Sequence, residues 1–174
     1  MPAVDRCGRR IRAAHADDAV PVSALVRASF DAHVAPHWGK VARATFHAEN
    51  TAAKLAGRLD TATFAAVCEE RGDGGAIVGL ILLPRPNLVQ LCFVAPTQLR
   101  RRIGSDLWEA ARAHLEATLP EVRTVELNAA PSAVPAYRAM GFYPISRPFD
   151  RDGWVATRMA CWLPGRYLDE PGPV

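Results

Sequence analysis

One stretch restricts the fold of this chain more than any other: Phe93-Val94-Ala95-Pro96-Thr97-Gln98-Leu99-Arg100-Arg101-Arg102-Ile103-Gly104-Ser105-Asp106-Leu107. It reads as an apolar strand halted by a proline, a short basic loop, and an amphipathic helix with Ile103, Leu107, Ala111 and Leu115 on one face. A corner of this kind gathers backbone N–H groups that have no intrahelical partner at the positive end of the helix dipole. It suits a pyrophosphate, and three arginines add full positive charges. A helix crossing between two strands of a sheet also makes them parallel, so residues 88–94 and the later strand at 124–128 should run in one direction.

The remaining pattern fills in a mixed sheet. Residues 11–14 read as a first strand. Asp17-Asp18 opens a helix with Val22, Leu25, Val26, Ser29 and Phe30 as its apolar stripe. After a loop at residues 35–39, a second helix is expected over 41–59, with Phe46, Ala53 and Leu55 inward. Residues 64–68 form a strand and Asp73-Gly74-Gly75 a hairpin turn. The nearly continuous apolar run 76–83 is a central strand. Pro135 opens a short helix that ends at Gly141. A last strand over 154–163 is expected to pair, across Asp152-Gly153, with one near 142–145. The order is β-α-α-β-β-β-α-β-α-β-β, with helices on both faces of the sheet.

Bulk properties exclude several classes. A chain of 174 residues is expected to be one domain over 1–174, with loose ends at about 1–9 and 165–174. A net charge of +3 gives no case for nucleic acid, and the short basic run lacks interleaved aromatics. The run 76–83 is too short to span a membrane, and residues 1–14 have no apolar signal segment. Cys7, Cys68, Cys92 and Cys161 show no metal spacing; three lie in apolar strands, as small core residues of a reducing, cytoplasmic compartment do. No metal is expected.

A second element gives the corner its meaning. Val94-Ala95-Pro96, then Leu99-Arg100-Arg101-Arg102-Ile103-Gly104, is followed by Ala129-Ala130-Pro131-Ser132-Ala133-Val134-Pro135-Ala136-Tyr137-Arg138-Ala139-Met140-Gly141-Phe142. Together with the element order, these resemble the GCN5-related N-acetyltransferase (GNAT) superfamily over nearly the whole chain. The family pattern is Val-x-Pro, then Gln/Arg-x-x-Gly-x-Gly/Ala, then a helix. Leu99 stands where Gln or Arg is usual, Arg102 where the first glycine is usual, and Gly104 matches. The family's second pattern, Ala-Ser-x-x-Ala-x-x-Phe-Tyr-x-x-x-Gly-Phe, is met with Ala130 for Ser and Ala136 for Phe.

The resemblance implies a GNAT-type α/β (α+β) fold: a mixed, mostly antiparallel central sheet of six to seven strands with a splayed parallel pair. It implies acetyl-CoA as co-substrate, its pyrophosphate held by Leu99, Arg100, Arg101, Arg102, Ile103, Gly104 and Ser105. Phe93 and Val94 would supply backbone groups to the thioester. Asn128 and Ser132 would reach the cofactor from the far side of the splay. Tyr137 would protonate the departing thiolate as the catalytic residue, since a phenol is a donor at neutral pH. The acceptor would be a small-molecule or peptide amine, and a homodimer is compatible with the family. Glu69, Glu70 and Glu126 are the open candidates for a general base; His33, His37 and Trp38 lie where the family builds its acceptor wall. The other reading is a non-catalytic acyl-CoA-binding module of the same fold.

Overall fold

The computed structural model describes residues 4–6, 8–71 and 75–163; the expected Asp73-Gly74 turn, Cys7 and the tail from residue 164 lie outside them. Strands β1 (Val4–Arg6), β2 (Arg9–Ala13), β3 (Phe64–Glu70), β4 (Ile77–Leu83) and β5 (Leu91–Val94) form one antiparallel sheet in that spatial order. Strands β6 (Thr124–Ala129), β7 (Tyr143–Pro144), β8 (Phe149–Arg151) and β9 (Trp154–Trp162) form the second half, ordered β6-β9-β7 with β8 also on β9. Helices α1 (Ala19–His33), α2 (Lys40–Glu49), α3 (Ala52–Thr61), α4 (Ile103–Thr118) and α5 (Val134–Ala139) complete the described chain. None of these helices is long and apolar enough to cross a membrane.

The apolar run of β4 is explained by burial on both faces. Ile81 and Leu83 join the core under α4, with Leu107, Leu115, Val125, Leu127 and Met159. Leu80 and Leu82 join the core under α1 and α3, with Val22, Val26, Leu55 and Leu59. A strand covered on both sides needs no polar alternation. Each fully buried Leu or Ile contributes roughly 1.5–3 kcal/mol. At Gly79 an added Cβ would lie 2.6 Å from Ile103 Cγ2, so glycine lets α4 lie close on the strand.

The two sheet halves meet at one point. Leu88 and Glu126 form a parallel bridge, with Val89 N–H donating to the Glu126 carbonyl and Glu126 N–H to the Asn87 carbonyl, both at 2.9 Å. Beyond it β5 pairs with β4 and β6 with β9, so the expected parallel pair splays open.

Four details differ from the sequence reading. The helix expected over 41–59 is two helices, because Asn50 caps the first through its Nδ2 donating to the Phe46 carbonyl at 2.7 Å, and Thr51 starts the second. Short polar side chains compete with helix continuation in this way. The strand expected over 88–94 begins at Leu91, as β5. The Asp152-Gly153 turn joins β9 to Phe149–Arg151, while Tyr143 pairs farther along β9 with Ala160. Within the N-terminal stretch read as loose, Val4–Arg6 pairs with β2.

Candidate active site

The corner after β5 is bent by its own arginines. Arg100 and Arg102 adopt left-handed backbone, φ 62° and 61°, with Arg101 between them at negative φ. An L residue held there costs roughly 1–2 kcal/mol. The position where Arg102 replaces a glycine is therefore one where glycine would be unstrained. Alternating backbone handedness turns successive N–H groups toward one side, which makes an anion-binding concavity. The first amides of α4, at Ile103, Gly104 and Ser105, have no intrahelical acceptor and add to it.

Side chains tie this loop down without filling it. Arg9 Nη2 donates to the Arg101 carbonyl at 3.1 Å, and Gln98 Nε2 donates to Glu70 Oε1 at 2.7 Å. Arg102 Nη2 lies 3.6 Å from Glu109 Oε1, along the helix, and Leu99, Arg100 and Arg101 are exposed. Ile103 is a core side chain, so only its backbone faces the loop. Gly104 seats the first turn against its neighbours: a Cβ there would lie 3.1 Å from Met140 Cε and 3.8 Å from Val94 Cγ2.

At the splay, backbone alternation separates Phe93 from Val94. Ala95 N–H donates to the Val78 carbonyl at 2.9 Å, and Phe93 stands opposite Leu80 in the same register. The polar backbone groups of Phe93 therefore point to β4, whereas those of Cys92 and Val94 point into the opening. Of the two residues expected to offer backbone groups, Val94 does so; the Phe93 side chain instead packs edge-on against Phe46, centroids 5.9 Å apart.

Tyr137 closes the opposite side. Its helix ends with Gly141 N–H donating to the Arg138 carbonyl and Phe142 N–H to the Tyr137 carbonyl, with Gly141 at φ 93°. Only glycine takes that left-handed position without strain, and the double bond pattern fixes the direction of the last turn. The ring packs on Phe142 at 5.7 Å, and the hydroxyl comes within hydrogen-bonding reach of the Cys92 sulfur. Burial holds the phenol well above its ordinary range, and pushes the Cys92 thiol up to about 12. Both groups are protonated at neutral pH.

A cavity of about 670 Å³ opens from this point. Cys92, Phe93, Asn128 and Tyr137 line its inner end, and Trp38, Phe46 and Trp154 its outer wall. The family model for the acetyltransferase (GNAT) domain matches residues 28–163, well over half of the chain. The chain belongs to the GNAT acetyltransferase family.

Solved GNAT structures share its fold. The GCN5-related N-acetyltransferase of Rhodopseudomonas palustris superposes with a TM-score of 0.74 at 20% identity, covering 94% of this chain and 99% of the other. The PaiA N-acetyltransferase of Thermoplasma acidophilum, solved with coenzyme A, gives 0.70 at 15% identity, covering 90% and 99%. An aminoglycoside 6′-N-acetyltransferase, also solved with coenzyme A, gives 0.65 at 12%, covering 90% and 98%. No curated protein matches this chain in sequence.

Within this GNAT fold the other expected site residues separate. Asn128 is exposed on β6 and lines the cavity. Ser132 does not line it; its Oγ donates to the His33 carbonyl at 2.7 Å, pinning the turn before α5 to the end of α1. The three carboxylates considered as bases all stand outside the lining. Glu69 Oε2 takes Arg12 Nε at 2.7 Å, Glu70 takes Gln98, and Glu126 faces Arg158 at 4.0 Å. Arg12 is thereby half-buried in an ion network with Glu69 and Asp18.

Of the acceptor-wall residues, Trp38 lines the cavity, whereas His33 and His37 do not. Trp154, the first residue of β9, stands edge-on to Trp38 at 6.2 Å. Glu49, Arg58, Arg151 and Asp152 also reach the lining and were missed. Glu49 and Arg58 sit on helices whose polar faces look like any solvated surface. Arg151 and Asp152 belong to a hairpin whose partner strand was misplaced.

Proposed function

We propose that the protein transfers an acetyl group from acetyl-CoA to a primary amine by direct attack in a ternary complex. The observation that supports this reading is that Cys92, Asn128 and Tyr137 line one cavity at the splay, while the Val94 backbone turns away from β4 into the same opening and leads into the corner at residues 100–105. The amides of residues 100–105 would hold the pyrophosphate, with Arg100 and Arg101 adding charge from the rim. The Val94 N–H would donate to the thioester oxygen as charge develops there; a single such donor is typically worth about 3 kcal/mol of barrier.

The amine nitrogen forms the new C–N bond, the C–S bond breaks, and Tyr137 gives its proton to the leaving sulfur. The proton released by the amine nitrogen restores the phenol, directly or through water. Cys92, protonated and next to Tyr137, has no thiolate to act as a covalent acceptor, which supports direct transfer. Asn128 faces the same space from β6 and would contact the pantetheine arm. Holding two substrates together supplies much of the rate.

The test is Tyr137→Phe. Thiol release should fall at least about tenfold in kcat, with acetyl-CoA affinity by calorimetry unchanged. Unchanged turnover would remove Tyr137 from the mechanism. Acetyl-CoA binding without thiol release from any amine would favour the non-catalytic module.

A further inference from the structure

The cavity's outer wall has a chemistry of its own. Phe46 stacks on the fully buried Phe30 at 3.8 Å and 8°, and Trp38 stands edge-on to both, at 5.3 Å from Phe30 and 6.0 Å from Phe46. Trp154 and Phe93 extend the same surface. The Trp38 indole N–H is already given to the Val155 carbonyl at 3.1 Å, so Trp38 offers this wall its ring rather than a hydrogen bond.

Charge at the rim is balanced. The lining carries two carboxylates, Glu49 and Asp152, and two guanidiniums, Arg58 and Arg151. Glu49 is also held by Lys54 at 2.7 Å, and Arg58 donates to Asn50 Oδ1 at 2.9 Å and to the Glu49 carbonyl at 2.7 Å. A polycation brought here would meet no surplus of negative charge. Flat apolar bodies prefer stacked or edge-on contact with such rings, and their burial is favourable.

We infer that the acceptor is a monoamine with an aromatic body, rather than a polyamine or an aminoglycoside. The inference rests on the acetyl-transfer reading above. The ring would lie against Phe46, Trp38 and Trp154, with the amino group pointing inward toward Val94 and Tyr137. The same wall answers the missing base. Desolvation disfavours the ammonium form and lowers the amine's pKa, so the nitrogen enters neutral without a carboxylate to deprotonate it.

The experiment compares 2-phenylethylamine, n-butylamine, spermidine and kanamycin as acceptors by thiol release, with acetyl-CoA affinity measured separately by calorimetry. 2-Phenylethylamine should exceed n-butylamine by about tenfold or more in kcat/KM, the range that differences in apolar pocket filling supply. Phe46→Ala, a change on a helix that buries none of its residues, should raise KM for 2-phenylethylamine and leave acetyl-CoA affinity unchanged. Spermidine or kanamycin as the best acceptor overturns this inference while acetyl transfer stands. Acetyl-CoA that binds without thiol release from any of the four, or fails to bind, overturns the acetyl-transfer reading and this inference with it.

Discussion

Gly39 donates its amide hydrogen to the Gly153 carbonyl at 2.9 Å, and the two backbones touch: a Cβ built on Gly153 would lie 2.9 Å from the Gly39 Cα. This clasp joins the loop carrying Trp38 to the hairpin carrying Trp154. It sets the outer wall of the cavity from two segments more than a hundred residues apart in sequence.

Gly153→Ala places a Cβ against backbone and also at φ 82°. Stability should fall by about 2–3 kcal/mol, the cost of a left-handed L residue plus an unrelieved contact. The acceptor KM should rise, while acetyl-CoA affinity stays the same. Thermal unfolding and calorimetry separate the two effects.

Arg102 holds a glycine's conformation and makes only an exposed ion pair with Glu109, of the kind worth at most about 1 kcal/mol. Arg102→Gly should therefore raise Tm by about 2–4 °C, as expected for ~1 kcal/mol in a chain of this size. Arg102→Val, with a branched Cβ at positive φ, should lower Tm. If the corner binds through its backbone, acetyl-CoA affinity changes by less than about threefold in Arg102→Gly.

Asp18 is buried and receives Arg12 Nη2 on Oδ1 at 2.8 Å, Arg12 Nη1 on Oδ2 at 2.8 Å, and the His15 amide at 2.9 Å. The Arg12 hydrogen bonds hold its carboxyl below the usual aspartate range. A lowered folded pKa contributes stability that is present above the unfolded value near 4 and is lost as pH falls through the folded one. Asp18→Asn should cost about 2–4 kcal/mol at pH 7 and flatten the stability curve below about pH 4. Denaturant titrations across that range measure both.

Tyr137 has its pKa raised, so the phenol keeps its proton to higher pH than a free tyrosine. Turnover should show no loss from this group up to about pH 10. A pH–rate profile of kcat that falls with a midpoint well below that value would contradict a buried, neutral donor.

What the sequence disclosed follows from how local each signal is. The corner at 93–107 and the Tyr137–Phe142 element are contiguous, with turn chemistry written into Pro96, Pro135 and Gly141, and the backbone of both, strand–loop–helix and short helix ending before Gly141, follows the local pattern. The doubly buried β4 was legible from its composition. The break at Asn50-Thr51 was missed because both helices share one amphipathic pattern, and only the cap distinguishes them. The acceptor wall was least legible. Phe46, Trp38 and Trp154 meet through tertiary contacts, and the Gly39–Gly153 clasp that aligns them has no sequence pattern. The three carboxylates looked available as bases because the arginine and glutamine that occupy two of them, Arg12 and Gln98, lie on other segments.

The most direct test of the central claim is a calorimetric titration of the full chain with acetyl-CoA. Saturable binding of one molecule per chain, at micromolar dissociation constant and with desulfo-CoA competing, is the expected result. No heat of binding at millimolar acetyl-CoA would contradict the account at its root.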